Sequence, residues 1–139
     1  MSVQMILLPL FVQVLLTFVL GLNLAVKRRR AFATGTRWQE IAVREPNWPK
    51  DSLIASNAFL NQFEIPVLFY ILIALALPLR RADLFIVLMS WVFVVTRFAH
   101  AGIFVTSNNI QQRSLAWFAG ALVVLAMWIY FALKLLLLI

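Results

Sequence analysis

Four stretches of the chain are apolar for long enough to cross a bilayer, and the polar residues gather between them. From Ser2 to Val26 no residue is charged, and about 20 apolar residues span the roughly 30 Å hydrocarbon core as a helix. The pattern predicts a first helix over about 3–26. A cleaved leader would carry its basic residues before a short apolar core, whereas here they follow it, so the segment reads as part of the mature protein. A second apolar stretch covers about 53–79, with Asp51 or Ser52 as its expected cap after Pro49. A third covers about 83–106. Only Arg80, Arg81 and Ala82 separate the two, which predicts an antiparallel hairpin. The polar turn from Ser107 to Arg113 leads to a fourth helix over about 114–139, whose Lys134 lies near enough to the end to snorkel. A spanning backbone must satisfy its own hydrogen bonds, so the expected fold is all-α. It is a single-domain integral membrane bundle over 1–139, four helices up-down-up-down, with a basic loop at 27–52.

Composition strengthens this reading. Hydrophobic residues make up 64% of the 139 and charged ones 12%, against about half and a quarter in soluble domains. A soluble monomer is excluded on that ground. The absence of cysteine removes disulfides, thiolate metal sites and cysteine nucleophiles, and a single histidine leaves no metal-ligand set. The net charge of +7 does not call for nucleic acid, because the basic residues flank the apolar spans. The first connection holds Lys27, Arg28, Arg29, Arg30, Arg37, Arg44 and Lys50, and the third holds Arg113; the other side has Arg80, Arg81 and Lys134. Positive residues favour the cytoplasmic side, so the first and third connections are expected there. Trp38 and Trp48, among Pro46 and Pro49, suit a loop lying in the headgroup region. The leucine-rich end from Leu133 to Ile139 suits the last turns of a lipid-facing helix.

Some polar residues interrupt the spans, and each ionisable one costs roughly 2.5–3.5 kcal/mol at mid-membrane on insertion scales. Asn57, Asn61 and Glu64 recur at four and three residues, which puts them on one stripe of a helix. Arg97, His100 and Phe104 share a face of the next span in the same way. At 1.5 Å per residue, Glu64 lies roughly 16 Å and Arg97 roughly 14 Å from the same membrane surface. A Glu64–Arg97 ion pair is the expected result, since unlike charges offset each other's desolvation. Such a network serves equally well to specify helix packing or to build a ligand site. A hydrolytic Ser-His-acid arrangement has no serine in a nucleophile-elbow context, and no glycine-rich phosphate loop is present.

The run from Asn57 through Asn61, Glu64 and Pro66 to Tyr70, followed by Arg97, His100 and Asn109 to Arg113, resembles the MAPEG family of membrane-associated proteins in eicosanoid and glutathione metabolism. It is most similar to the short bacterial members, which implies a bacterial inner membrane. The resemblance further implies a homotrimer that binds glutathione between neighbouring subunits. Members conjugate glutathione to lipophilic electrophiles or reduce lipid hydroperoxides, while others bind lipid or partner proteins without catalysis. Asn61 and Glu64 match the family's glutathione contacts on helix two, and Arg113 is the nearest match to the arginine that stabilises the thiolate. Asn57, Arg97 and His100 complete the expected binding set. The sequence departs from the family where Asn57 replaces an arginine and where His100 and Phe104 stand in place of tyrosines. Two readings follow: a glutathione-dependent transferase or peroxidase acting on a lipophilic small molecule, or a non-catalytic subunit bound to membrane lipids or a larger membrane complex. A small channel or proton relay through Glu64 and His100 is a third, disfavoured because one chain has too few helices to enclose a path.

Overall fold

The computed structural model describes residues 2–42 and 48–137. Arg44, Pro46 and residues 138–139 of the expected fourth helix lie outside them. Every regular element among the described residues is helical: α1 (Val3–Ala33), α2 (Lys50–Leu60), α3 (Ile65–Ala76), α4 (Leu84–Val105) and α5 (Ile110–Leu136). Taking α2 and α3 together, four helices are long and apolar enough to cross a membrane.

α1 starts where expected, with the Ser2 hydroxyl accepting the Met5 N–H at 3.2 Å. It does not stop at Val26 but continues through the basic cluster to Ala33. Lys and Arg are good helix formers and favour a helix C-terminus, so the cluster extends the helix instead of ending it. Termination falls at Thr34, followed by Gly35 at φ 115°, a left-handed position that favours glycine. Beyond it the loop folds back: Trp38 and Trp48 both pack on Phe32, and the Arg28 guanidinium lies 4.9 Å from the Trp48 ring centre.

The second span is also corrected. Pro49, not Asp51 or Ser52, occupies the cap position, and Asp51 sits in the first turn of α2. The expected single helix over 53–79 is broken: a 3-10 turn covers Asn61–Phe63, Glu64 takes φ −100°, ψ −107°, and α3 begins with Ile65 and Pro66. Proline has no N–H to donate, and its ring collides with the carbonyl four residues back, so a straight helix cannot pass through Pro66. α3 then ends at Ala76 rather than Leu79. The fourth helix begins at Ile110, four residues before its expected start, because the Asn109 side chain caps it by accepting the Gln112 N–H at 3.1 Å. Arg113 therefore belongs to the first turn of α5.

Packing places two apolar clusters along the bundle. Phe69, Leu72, Ile73 and Ala76 of α3 meet Ile86 and Phe93 of α4 and Met127 and Phe131 of α5. Toward the end that carries the basic loop, Leu16 and Leu20 of α1 pack with Ala58, Ala101 and Phe104. The α3–α4 turn is tied to α5 by Asp83. One carboxylate oxygen caps α4 by accepting the Ile86 N–H at 3.1 Å, and the other accepts from the Tyr130 hydroxyl and the Lys134 ammonium.

Burial alone would raise the Asp83 carboxyl; hydrogen bonds from Lys134, Tyr130 and Ile86 outweigh it and hold the group below its ordinary 3.8. A depressed folded-state pKa stabilises the fold above the unfolded value, and the contribution disappears as pH falls through the folded one. Asp83→Asn is thus expected to lower the thermal midpoint modestly at neutral pH and to have no effect at pH values below that folded-state pKa. Paired melting curves in detergent check this, and an equal loss at both pH values would contradict it.

Candidate functional site

The site begins with a close approach of two helices. A Cβ built on Gly120 of α5 would lie 2.9 Å from the Thr96 Oγ1 of α4 and 3.7 Å from the Arg97 Cδ. Glycine leaves the space through which the Arg97 side chain runs, fully enclosed at 0% exposure. Arg97 Nη2 donates to the Asn61 Oδ1 at 2.6 Å. Its Nε and Nη1 have no hydrogen-bond partner among the described residues. The expected Glu64–Arg97 ion pair is not formed: among the described residues the one ion pair joins Lys134 and Asp83. Glu64 is exposed on the surface of the protomer. The reason is the break in the span, because Asn61 already belongs to a 3-10 turn and Glu64 to a kink. A 3-10 turn advances about 120° per residue in place of 100°, so Glu64 is rotated away from Arg97 although it still shares a cavity wall with Asn57 and Asn61.

In front of Arg97 and Asn61 a cavity of about 630 Å³ opens between α2, α4 and α5. Asn57, Asn61, Glu64, His100 and Arg113 line it, five of the six residues the sequence singles out, and Arg97 stands behind Asn61. His100 is buried, with its ring edge-on to Phe104 at 5.6 Å. The Arg113 guanidinium carbon lies 4.4 Å from the Phe104 ring centre. Its Nη1 donates to the Asn108 Oδ1 at 2.6 Å. Asn108 sits at φ 50°, a left-handed conformation that Asn tolerates better than most residues. Arg113 is thereby held from below by a ring face and from one side by a fixed acceptor, with donors left for the cavity. Leu60, Ser114, Trp117 and Phe118 also line the space, and the sequence reading missed them. Their signal is spacing: Ser114, Trp117 and Phe118 lie one, four and five residues after Arg113 on one helix, once α5 is known to start at Ile110.

Chemically, the cavity presents one cation at Arg113, one carboxylate at Glu64, two carboxamides, an imidazole and a hydroxyl, backed by aromatic rings. Its volume falls in the range of small-molecule sites. Four helices long and apolar enough to cross a membrane, three of which border this polar recess, define the class as a multi-pass integral membrane protein. The chain belongs to the MAPEG family, whose sequence model matches residues 6–133. No curated protein and no solved structure compared with the chain matches it.

Proposed function

We propose that the cavity takes glutathione and that the protein joins it through its thiolate sulfur to lipophilic electrophiles, or reduces lipid hydroperoxides to alcohols as two glutathione thiols are oxidised to the disulfide. The observation that carries this reading is Arg113, a fixed guanidinium on the wall of a cavity that Glu64 also lines. A guanidinium beside a thiol favours the thiolate and so raises the nucleophilic fraction at neutral pH. Glu64 suits the ammonium of a tripeptide, and the carboxamides of Asn57 and Asn61 suit its peptide groups and carboxylates. The cavity is open on the outside of a single protomer, where Glu64 is exposed, so a homotrimer of up-down bundles in which a neighbour closes the opening fits the same reading. His100 and buried Arg97 position the wall, Arg97 through Asn61.

Equilibrium binding of glutathione to the detergent-solubilised protein tests the proposal, followed by conjugation of a small aromatic electrophile. Absence of binding at millimolar glutathione would refute it. Because Glu64 makes no ion pair with Arg97, Glu64→Gln is expected to leave the size-exclusion profile unchanged while weakening glutathione about tenfold, the cost of one lost charged contact. Loss of the assembled species in this variant would instead make Glu64 a packing residue.

One observation favours a second reading, a non-catalytic member. The cavity offers Asn57 and Phe104 where the resemblance leads one to expect a cation and a tyrosine hydroxyl, so its grip on an anionic tripeptide is reduced. Stoichiometric co-purification of a partner from mild detergent, without glutathione binding, is the result that selects it.

A further inference from the structure

Beside the basic cluster, α1, the start of α2 and the end of α4 leave a second recess between them, of about 320 Å³. Asn23 and Lys27 line it from α1, Asp51 from the first turn of α2, and Thr106 and Asn108 from the turn that follows α4. The apolar part of its lining includes Ile54 and Val105. Measured from Val3 along α1, Asn23 lies roughly 30 Å and Lys27 roughly 36 Å away, against a hydrocarbon core about 30 Å thick. The recess therefore straddles the level at which acyl chains give way to headgroups, where α2 begins and α4 ends.

Opposite charges line this space without meeting. Lys27 and Asp51 both border it, yet among the described residues the one ion pair is that of Lys134 with Asp83. Asp51 is exposed and Lys27 half-buried, so both have surface to offer a ligand. One Asp51 oxygen accepts the Ser52 N–H at 2.8 Å, and a carboxylate has lone pairs to spare beyond that one bond. The Asn108 Oδ1 is taken by Arg113, so the amide hydrogens are what the Asn108 side chain can offer. The Thr106 hydroxyl donates to the Gly102 carbonyl at 2.5 Å, which leaves it as an acceptor. Donors at Lys27 and Asn108 and acceptors at Asp51 and Thr106 thus share one recess.

We infer that this recess is a second binding site, for the headgroup of a membrane phospholipid that joins a phosphate to a primary ammonium, with Lys27 and the Asn108 amide meeting the phosphate and Asp51 the ammonium. A simple anion would be repelled by Asp51 and a simple cation by Lys27, whereas a zwitterion satisfies both at once. A quaternary ammonium has no N–H for Asp51 to accept and so forms the weaker complex. The volume suits a small polar group. A lipid is favoured over a free zwitterion by the depth of the recess and by Val105, which lines it and is 43% exposed, giving the acyl chains an apolar surface to follow. The site does not rest on the glutathione reading, since neither Lys27 nor Asp51 lines the glutathione cavity.

The test titrates the full chain, delipidated in mild detergent without glutathione, with dioctanoyl phosphatidylethanolamine, phosphatidylcholine and phosphatidylglycerol, and counts bound lipid by native mass spectrometry. The ethanolamine lipid is expected to half-saturate at about tenfold lower concentration than either of the others, the effect of one charged hydrogen-bonded contact. Asp51→Asn should bring the ethanolamine and glycerol lipids to near equality, because the remaining cation takes any phosphate. Lys27→Gln should weaken the ethanolamine lipid about tenfold. Water-soluble O-phosphoethanolamine, which has no chains, should fail to displace the lipid even in about hundredfold excess. Equal half-saturation of the three lipids in the unaltered protein would overturn the inference without recourse to any variant. A preference that survives both substitutions would place the lipid elsewhere, and displacement by O-phosphoethanolamine at matching concentration would make the ligand a soluble one; either result also refutes the assignment. Absence of glutathione binding leaves all of these outcomes standing, which keeps the two proposals separable.

Discussion

Arg113→Ala is expected to lower kcat for glutathione conjugation by about 100-fold or more, the scale on which removal of one preorganised charge-stabilising group acts. The guanidinium is fixed by the Asn108 side chain and the Phe104 ring, so its charge is already in place when the thiol binds and needs no reorganisation. Without it the bound thiol stays protonated at neutral pH, and the rate should recover as pH is raised toward the ordinary thiol range. Arg113→Lys keeps the charge but not the planar fork, and should fall between the two. The pH profile of kcat is the deciding measurement. A uniform loss across the pH range would mean that Arg113 serves binding geometry alone.

The largest effect on stability is expected at Gly120. A Cβ there falls 2.9 Å from the Thr96 hydroxyl and 3.6 Å from the Phe93 ring. The Thr96 hydroxyl is tied to the Phe93 carbonyl of its own helix at 2.6 Å, so it has little freedom to move away. Gly120→Ala should cost about 1–3 kcal/mol through overpacking, and Gly120→Leu more, enough to lower the thermal midpoint by several degrees. The bulkier variant also fills the passage occupied by Arg97, so loss of the Arg97–Asn61 bond and of ligand binding should accompany the destabilisation. Melting curves for the Ala and Leu variants give a graded series. A leucine tolerated at no cost would mean that α4 and α5 stand further apart than this packing requires.

What the chain discloses before it folds depends on which force decides each feature. The four spans are legible because long uncharged runs have one dominant outcome in lipid. The membership of Asn57, Asn61, Glu64, His100 and Arg113 in one recess is legible for a related reason: isolated polar residues in apolar spans gather on shared faces. Their pairing is not. Arg97 bonds Asn61 and leaves Glu64 aside because the 3-10 turn over Asn61–Phe63, ahead of Pro66, shifts the helical phase between them, and a fixed 100° per residue carries no information about a kink. Helix ends were misplaced where capping competes with charge, as at Ala33, where basic residues prolong α1, and at Asn109, whose side chain starts α5 early. The buried Gln13–Gln62 hydrogen bond is not legible because neutral polar groups do not interrupt an apolar run as a charge does.

α1 has one further consequence. Its 31 residues amount to roughly 46 Å, about 16 Å more than the hydrocarbon slab is thick. The surplus is a rigid stalk, and it carries four successive cations from Lys27 to Arg30. Sinking the molecule by one turn would drag those side chains toward oil at a few kcal/mol apiece. The stalk thus acts as a depth gauge, pinning the level at which the recess meets the lipid and, on the function proposed above, the height at which a water-borne thiol and a bilayer-dissolved reactant would encounter each other.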